Sequence, residues 1–307
     1  MKRFPWIGLV MGVLLLAGLL AGCAAPAVKS VRLQDPEARM PLTAPKATGT
    51  TPFRVAVSSI LSPMETLDGY EPLLKYLAAR LDRPVVLLQR RTYQEVNQLL
   101  QERGVDLAFV CSGGYTAGQG MELFAMPEVR GRQTYQSYII VRSELPASSL
   151  AALQGRSFAF TDPLSFSGHM APQSMLIAQK IAPQSHFSRS FFTFSHDNSI
   201  RSVVEGLVDG AAVDSMIYDR ILAQRPEWAG KVRVIEKSLE VGNPPVVVPQ
   251  GLDAELKRKV QAILLKMHED PAGKEALRRL DYDRFILPQP ELYEPIKPIW
   301  QAVRGLL

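Results

Sequence analysis

The stretch that decides the fold runs from Ser157 to Leu176: SFAF, then TDPLSFSGH, then MAPQSML. Ser157–Phe160 reads as a short apolar strand, and Met170–Lys180 reads as a helix. Between them lies a loop of small hydroxyl residues. A strand that passes into a helix through such a loop is the repeating unit of an α/β protein. The loop also suggests a chemistry. Thr161, Ser165 and Ser167 are hydroxyl donors, and Gly168 permits close backbone approach. The first turn of a helix presents unpaired N–H groups and a partial positive charge. Together these features suit phosphate, phosphonate or another tetrahedral oxyanion. Ordinary helix capping by serine is the competing reading, and this stretch alone does not separate the two.

The same alternation continues on both sides. On the N-terminal side, FRVAV (53–57), PVVLL (84–88) and DLAFV (106–110) are strand-like. They are separated by GYEPLLKYLAARL, with leucines at helical spacing, and by TYQEVNQLLQERG, where Thr92 and Glu95 form a capping box and Gly104 a stop. On the C-terminal side come SFFTF, the loop and helix of SHDNSIRSVVEGLVDG, AAVDS, a helix through Gln224, VRVIEKSL, and a helix over Ala254–Met267. YQSYIIV (135–141) reads as one long strand between the halves. Strands alternating with helices imply largely parallel sheets, which bind ligands beyond the carboxyl ends of their strands. The candidate loops at those ends are CSGGY, TDPLSFSGH, SHDNS and Asp214-Ser215.

Several residues in these loops could meet an anion. His196, just before a helix start, could donate a hydrogen bond or be charged by the ligand; capping is its alternative role. Asp214 fits a ligand that carries an ammonium group or an acidic proton, or else caps the next helix. Ser112, the backbone at Gly113 and Gly114, and the hydroxyls of Tyr115 and Tyr93 are further donors, although tyrosines more commonly pack. Cys111 has no neighbouring His or Lys and reads as a small buried residue. Ser167, His196 and Asp214 have the residue types and order of a hydrolase triad, but the G-x-S-x-G elbow is absent.

The N-terminus carries its own signals. Lys2 and Arg3 precede an apolar run, Trp6–Leu20, and then LAGC ending at Cys23. This is a secretory signal (residues 1–22) with a lipoprotein-type cleavage site, leaving Cys23 to carry lipid and anchor the protein to a membrane surface. Residues 23–51, rich in Ala, Pro, Thr and charge without apolar period, form a disordered tether, typically spanning about 30 Å. Losing Lys2 and Arg3 takes the formal charge from +5 to +3. The remaining basic residues are scattered, which gives no footprint for nucleic acid. Four histidines and one remaining cysteine, far apart, argue against a zinc site. No metal or cofactor is expected.

The quoted loops, with TYQEVNQLLQERGVDLAFV, SGGY, YQSYIIVRSE and LQGRSFAFTDPLSFSGHMAP in this order, resemble the PhnD-like phosphate/phosphonate-binding proteins of ABC transporters. The resemblance covers about Pro52 to at least Pro249. It implies an α/β, type II periplasmic-binding-protein fold, with a ligand cleft between two α/β lobes and no enzymatic activity. The lobes would be residues 52–140 plus 246–307, and 141–245, with crossings near Tyr138–Ser143 and Glu236–Pro245. It implies ligand contacts from Tyr93, Ser112 and Tyr115 in the first lobe. Ser165, Ser167 and the Gly168 and His169 amides would hold the oxyanion, assisted by His196, with Asp214 facing the substituent or proton. Cys111-Ser112 replaces the commoner GP, Phe166 separates the serines, and His169 stands where tyrosine is frequent. The implied protein is an extracytoplasmic, lipid-anchored monomer that delivers a phosphonate or related oxyanion to an ABC permease. A sensor of the same fold serving a signalling kinase is the alternative, and a serine hydrolase the remotest.

Overall fold

The computed structural model describes residues 51–306. The expected signal peptide, Cys23 and the expected tether up to residue 50 lie outside the described residues. Among the described residues no helix is long and apolar enough to cross a membrane.

The N-terminal half forms β1 (Phe53–Val57), α1 (Pro63–Leu81), β2 (Val85–Gln89), α2 (Tyr93–Gln101), β3 (Leu107–Phe109), α3 (Ser112–Ala117) and β4 (Met121–Glu128). Two short strands follow the pattern's midpoint, β5 (Thr134–Tyr135) and β6 (Ser137–Arg142). Then come β7 (Ser157–Phe160), a π-turn at Phe166–Met170, α4 (Ala171–Ala178), β8 (Arg189–Phe192), α5 (His196–Val204), β9 (Gly210–Asp214), α6 (Ser215–Gln224) and β10 (Val232–Lys237). The chain closes with β11 (Val241–Gly242), β12 (Val246–Pro249), α7 (Ala254–Lys266), α8 (Pro271–Leu280), β13 (Arg284–Ile286) and α9 (Ile296–Val303).

The strands make two principal sheets on one plan. The first has the order β13-β4-β12-β3-β1-β2, the second β10-β6-β9-β7-β8. In the first, β2, β1 and β3 are parallel and β12 runs against them; in the second, β8, β7 and β9 are parallel and β6 runs against them. The chain passes between the sheets through β5 and β11, which pair antiparallel as a separate two-stranded ribbon. This explains why YQSYIIV is not one strand. The break falls at Gln136, where the chain leaves the ribbon and enters the second sheet. β6, which pairs with β9 from Ser137 onward, therefore lies wholly in that sheet, and the chain crosses at Thr134–Gln136, upstream of the expected Tyr138–Ser143.

Both sheets follow the burial logic of parallel α/β layers, with apolar strands covered on each face. Phe53, Val55 and Val57 pack under Leu73, Leu74 and Leu77 of α1, with Leu264 of α7 and Leu277 of α8. Ala56 and Ala108 face Val96 and Leu100 of α2 on the other side. A further buried cluster spans the seam between the sheets: Tyr93, Cys111 and Tyr135 meet Phe166, Met170 and Val213. α9 joins this cluster through Ile296, Ile299 and Val303 and touches both α3 and α4. The C-terminal helix thus packs across both halves rather than on the first alone.

The capping box at α2 forms as read: Thr92 Oγ1 accepts from the Glu95 N–H and the Glu95 carboxylate accepts from the Thr92 N–H. Its end is made differently. Arg103, not Gly104, takes the left-handed conformation (φ 55°), and the Gly104 N–H donates to the Leu99 carbonyl.

Candidate functional site

The loops at the carboxyl ends of β1, β3, β7 and β9 face one another across the seam, which is closed. From the second sheet, Asp162 follows β7. Its Oδ1 accepts from the Leu164 N–H (2.8 Å), and its Oδ2 reaches across to the Tyr93 N–H, the first residue of α2 (3.1 Å). Asp197, in the first turn of α5, does the same for α1. Its Oδ1 accepts from the N–H of the N-cap Ser62 (2.8 Å), whose own side chain makes no cap. Two helix N-termini of the first lobe are thus capped by carboxylates of the second, a favourable placement of negative charge. A backbone bond from the His196 N–H to the Ile60 carbonyl (2.9 Å) adds to this seam. Gly113 of α3 lies so close to the Leu164–Phe166 backbone that a Cβ there would stand 2.5 Å from the Leu164 carbonyl oxygen.

Within the β7 loop the chain turns sharply. The Ser165 Oγ accepts from the Gly168 N–H (2.9 Å), and its carbonyl accepts from the His169 (3.1 Å) and Met170 (2.9 Å) N–H groups. The Gly168 and His169 amides expected to hold an oxyanion are therefore engaged inside the π-turn. Gly168 is required for a different contact: a Cβ there would fall 2.4 Å from the Cβ of Thr161. The Ser167 carbonyl accepts from the Ser137 hydroxyl (2.5 Å), but its own Oγ is fully buried and has no partner. Tyr93 presents the matching group from the first lobe. Its ring is fully buried, and its hydroxyl, directed toward Ser165, reaches no hydrogen-bond partner.

His196 is buried, and desolvation pushes its pKa down to about 3. Its Nδ1 accepts from the Asp214 N–H (3.1 Å) and lies 3.1 Å from the Thr161 hydroxyl. The neutral ring therefore carries its proton on Nε2. Asp214 caps α6, its Oδ1 accepting from the Met216 (2.7 Å) and Ile217 (3.1 Å) N–H groups, while burial pushes its carboxyl up to about 7. These bonds dismantle the triad: His196 contacts the backbone of Asp214, the carboxylate serves its own helix, and Ser167 is bonded to neither.

Three other expected contacts are placed elsewhere. The Ser112 hydroxyl donates to the Gly242 carbonyl (2.7 Å) and so braces the ribbon. Tyr115 is half-buried and packs edge-on against Tyr293, ring centroids 5.3 Å apart. The His169 side chain turns into the second lobe, edge-on to Phe160 and Phe192. Its Nδ1–H donates to the Pro163 carbonyl (3.0 Å) and its Nε2 accepts from the Gln173 amide (3.2 Å). Burial lowers its pKa to about 4. A histidine held neutral in the fold adds stability above its unfolded pKa of about 6.5 that is lost as pH falls through its folded value. His169 is thus expected to cost about 3 kcal/mol between pH 7.5 and 4. His169→Asn, which retains a donor for Pro163 but does not titrate, should flatten the pH dependence of the urea midpoint by that amount. An unchanged slope would place the proton uptake elsewhere.

Cys111 is buried, as read. The Phe166 and Gly113 amides are aimed at its sulfur, which lies 3.8 Å from the Tyr135 hydroxyl, and desolvation raises its pKa. A small cavity opens beside the seam, lined by Ser58, Ile60 and Leu61 from the first lobe and Asp214, Ile217 and Arg220 from the second. Of the nine expected site residues, Asp214 alone lines it. Ser58, Asp162, Asp197 and Arg220 were not anticipated, because nothing local in the sequence marks a residue whose partner lies far along the chain. Among the described residues no cluster of His, Cys, Asp and Glu is arranged to hold a metal.

Comparison with known proteins agrees with the architecture. Residues 55–293 match the family model described as the periplasmic substrate-binding protein of a phosphonate ABC transporter. Among solved structures, the chain is similar to a binding protein component of an ABC phosphonate transporter from Pseudomonas aeruginosa. The two share 22% identity over 83% of this chain and 87% of that one, with a TM-score of 0.77. PhnD1 from Prochlorococcus marinus, solved with methylphosphonate, shares 18% identity over 82% and 98% of the chains, TM-score 0.75. The aliphatic sulphonate binding protein SsuA from Escherichia coli is more distant: 15% identity over 83% and 93%, TM-score 0.55.

Proposed function

The chain belongs to the periplasmic substrate-binding proteins of phosphonate ABC transporters and has the type II periplasmic-binding-protein fold, and from that premise we propose that it captures a small phosphorus oxyanion in the crevice between its two sheets. The observation that carries this reading is the pair of buried, unpartnered hydroxyls, Tyr93 Oη and Ser167 Oγ, supplied from opposite sides of the seam. A buried donor without an acceptor costs about 1–3 kcal/mol. A guest that accepts from both would offset that cost and tie the lobes together. The Nε2–H of neutral His196 is a third donor. Asp214, whose carboxyl is pushed up to about 7, can in its ionised form accept a hydrogen bond from the P–OH that a phosphonate monoanion carries and that sulfate lacks.

Binding in this scheme involves no bond making. Opening would break the Asp162, Asp197 and Ile60 contacts; a ligand would replace the water admitted, and closure would fix the donors around it. The closed form is the one a permease would recognise, and delivery to it is the proposed task. Cleavage after residue 22, lipid on Cys23 and a tether to residue 51 would hold the body at the membrane surface. The proposed lobes are 52–140 with 246–307, and 141–245, adjusted at Ser137 and at α9 as described.

A thermal-shift panel tests the reading, because a ligand that binds only the folded state raises its apparent stability. Methylphosphonate, aminoethylphosphonate, phosphite, phosphate and sulfate are the probes. At least one phosphorus oxyanion is expected to raise the midpoint, and sulfate is expected to leave it unchanged. A panel with no phosphorus ligand active, or with sulfate the strongest, would overturn the assignment.

A further inference from the structure

The cavity beside Asp214 contains a cation that the oxyanion reading leaves unused. Ile60 and Leu61 of the first lobe and Ile217 of the second give it apolar wall, and Arg220 of α6 lines it together with Tyr70 and Tyr282. Arg220 is half-buried, close to Gly69 and Leu280 of the first lobe. Among the described residues no carboxylate lies within 4.0 Å of its guanidinium. The charges around it are already committed. Asp281, which also lines the cavity, pairs with Arg130 at 2.9 Å, Asp219 faces Arg130 at 3.8 Å, and Glu65 pairs with Arg225 at 3.5 Å. In the same lining, Ser58 Oγ is buried, its residue 1% exposed, and has no partner. The space is that of about two water molecules.

A partly desolvated guanidinium without a counter-charge is unfavourable, and its planar fork matches a carboxylate. Beside Arg220 an ammonium tail would be repelled, since Asp214 is engaged by the α6 N-terminus and Asp281 by Arg130, and a long alkyl chain would exceed the space. We infer that this cavity is a subsite for an anionic tail, so that the ligand is a phosphonate bearing a carboxylate on a short alkyl chain. The phosphonate sits at the Tyr93–Ser167 seam, the methylene groups pass Ile60 and Ile217, and the carboxylate meets Arg220 with Ser58 as a second donor. This inference rests on the function proposed above and adds the chemical class of the substituent.

Isothermal titration of the full chain and of Arg220→Gln separates the two claims. The probes are methylphosphonate, ethylphosphonate, aminoethylphosphonate, phosphonoacetate and 3-phosphonopropionate. The better carboxylate is expected to bind about tenfold or more tighter than ethylphosphonate, the size of one charge-assisted pair. Arg220→Gln should bring that ratio down to about one, and aminoethylphosphonate should bind no tighter than ethylphosphonate. Carboxylates no tighter than ethylphosphonate, or an advantage that survives in Arg220→Gln, would overturn the subsite while leaving the phosphonate reading standing. If no phosphonate binds at all, the reading beneath it falls and the subsite with it.

Discussion

Replacing Tyr93 with Phe and Ser167 with Ala together is expected to weaken binding of methylphosphonate by about a hundredfold to ten-thousandfold, with no loss of stability in the ligand-free protein. Each hydroxyl would donate to a charged oxygen, and such a bond is worth about 1.5–3 kcal/mol, so two amount to about 3–6 kcal/mol. The free protein responds in the other direction. Both oxygens are buried without partners, so deleting them removes an unsatisfied group. Tyr93→Phe keeps the ring that packs in the seam cluster with Cys111 and Phe166, and Ser167→Ala keeps the carbonyl that accepts from Ser137. The melting midpoint of the double variant should equal or exceed the parent's. This sign separates a ligand site from a structural one. Had the hydroxyls bonded within the fold, their loss would lower both stability and affinity. Unaltered affinity would remove them from the site. A fallen midpoint with unaltered affinity would make them structural.

How the sequence foreshadows this site depends on the range of each contact. The capping box of Thr92 and Glu95 and the Asp214 cap of α6 lie within three residues of their partners, and spacing alone makes them readable. The expectation that the loops after β3, β7 and β9 face a common crevice follows from strand–helix alternation. The directions of the side chains do not. His169 precedes a helix as a ligand-binding residue would, yet Phe160 and Phe192 form a pocket in the second lobe that its ring fills. Ser112 sits at a helix start but answers to Gly242, 130 residues away. Asp162 and Asp197 look like local turn formers; Asp162 is one, through the Leu164 N–H, but each spends an oxygen on the opposite lobe, 69 and 135 residues away.

The fold shows the same division. The parallel strands are apolar runs between turn signals and can be read one by one. β4 is less legible: Pro127 lies within it, and proline argues against an interior strand. It is tolerated because β12 pairs with β4 only as far as Ala125, so that at Pro127 the strand has one neighbour, Phe285 of β13. The π-turn begins at Phe166, four residues before the expected helix start, because Ser165 both caps the turn and accepts two amides at its carbonyl. No propensity encodes that; it is set by the close approach of Gly168 to Thr161.

Gly113→Val is expected to hold the two lobes apart and to weaken ligand binding by at least about tenfold to a hundredfold, with the secondary structure retained. Gly113 lies inside α3, and it has no positive φ that would require glycine. In an open protein a side chain there costs little. In the closed one a Cβ would meet the Leu164 carbonyl oxygen at 2.5 Å, the Phe166 nitrogen at 2.6 Å and the Met170 sulfur at 3.1 Å. Two of these are backbone atoms, and they belong to the loop that carries Ser165 and Ser167, which is itself braced by the Asp162 and Ser165 bonds. The loop therefore has little freedom to yield, and the strain falls on the seam. Overpacking of this kind costs about 1–3 kcal/mol, which converts directly into the closed fraction and so into affinity. The bonds from Tyr93 to Asp162 and from Ser62 to Asp197 would lengthen with it. Small-angle scattering with saturating methylphosphonate gives the decisive reading: the parent should contract on ligand addition and Gly113→Val should not. Equal contraction and equal affinity in the two proteins would show that the seam at Gly113 is not where the lobes separate.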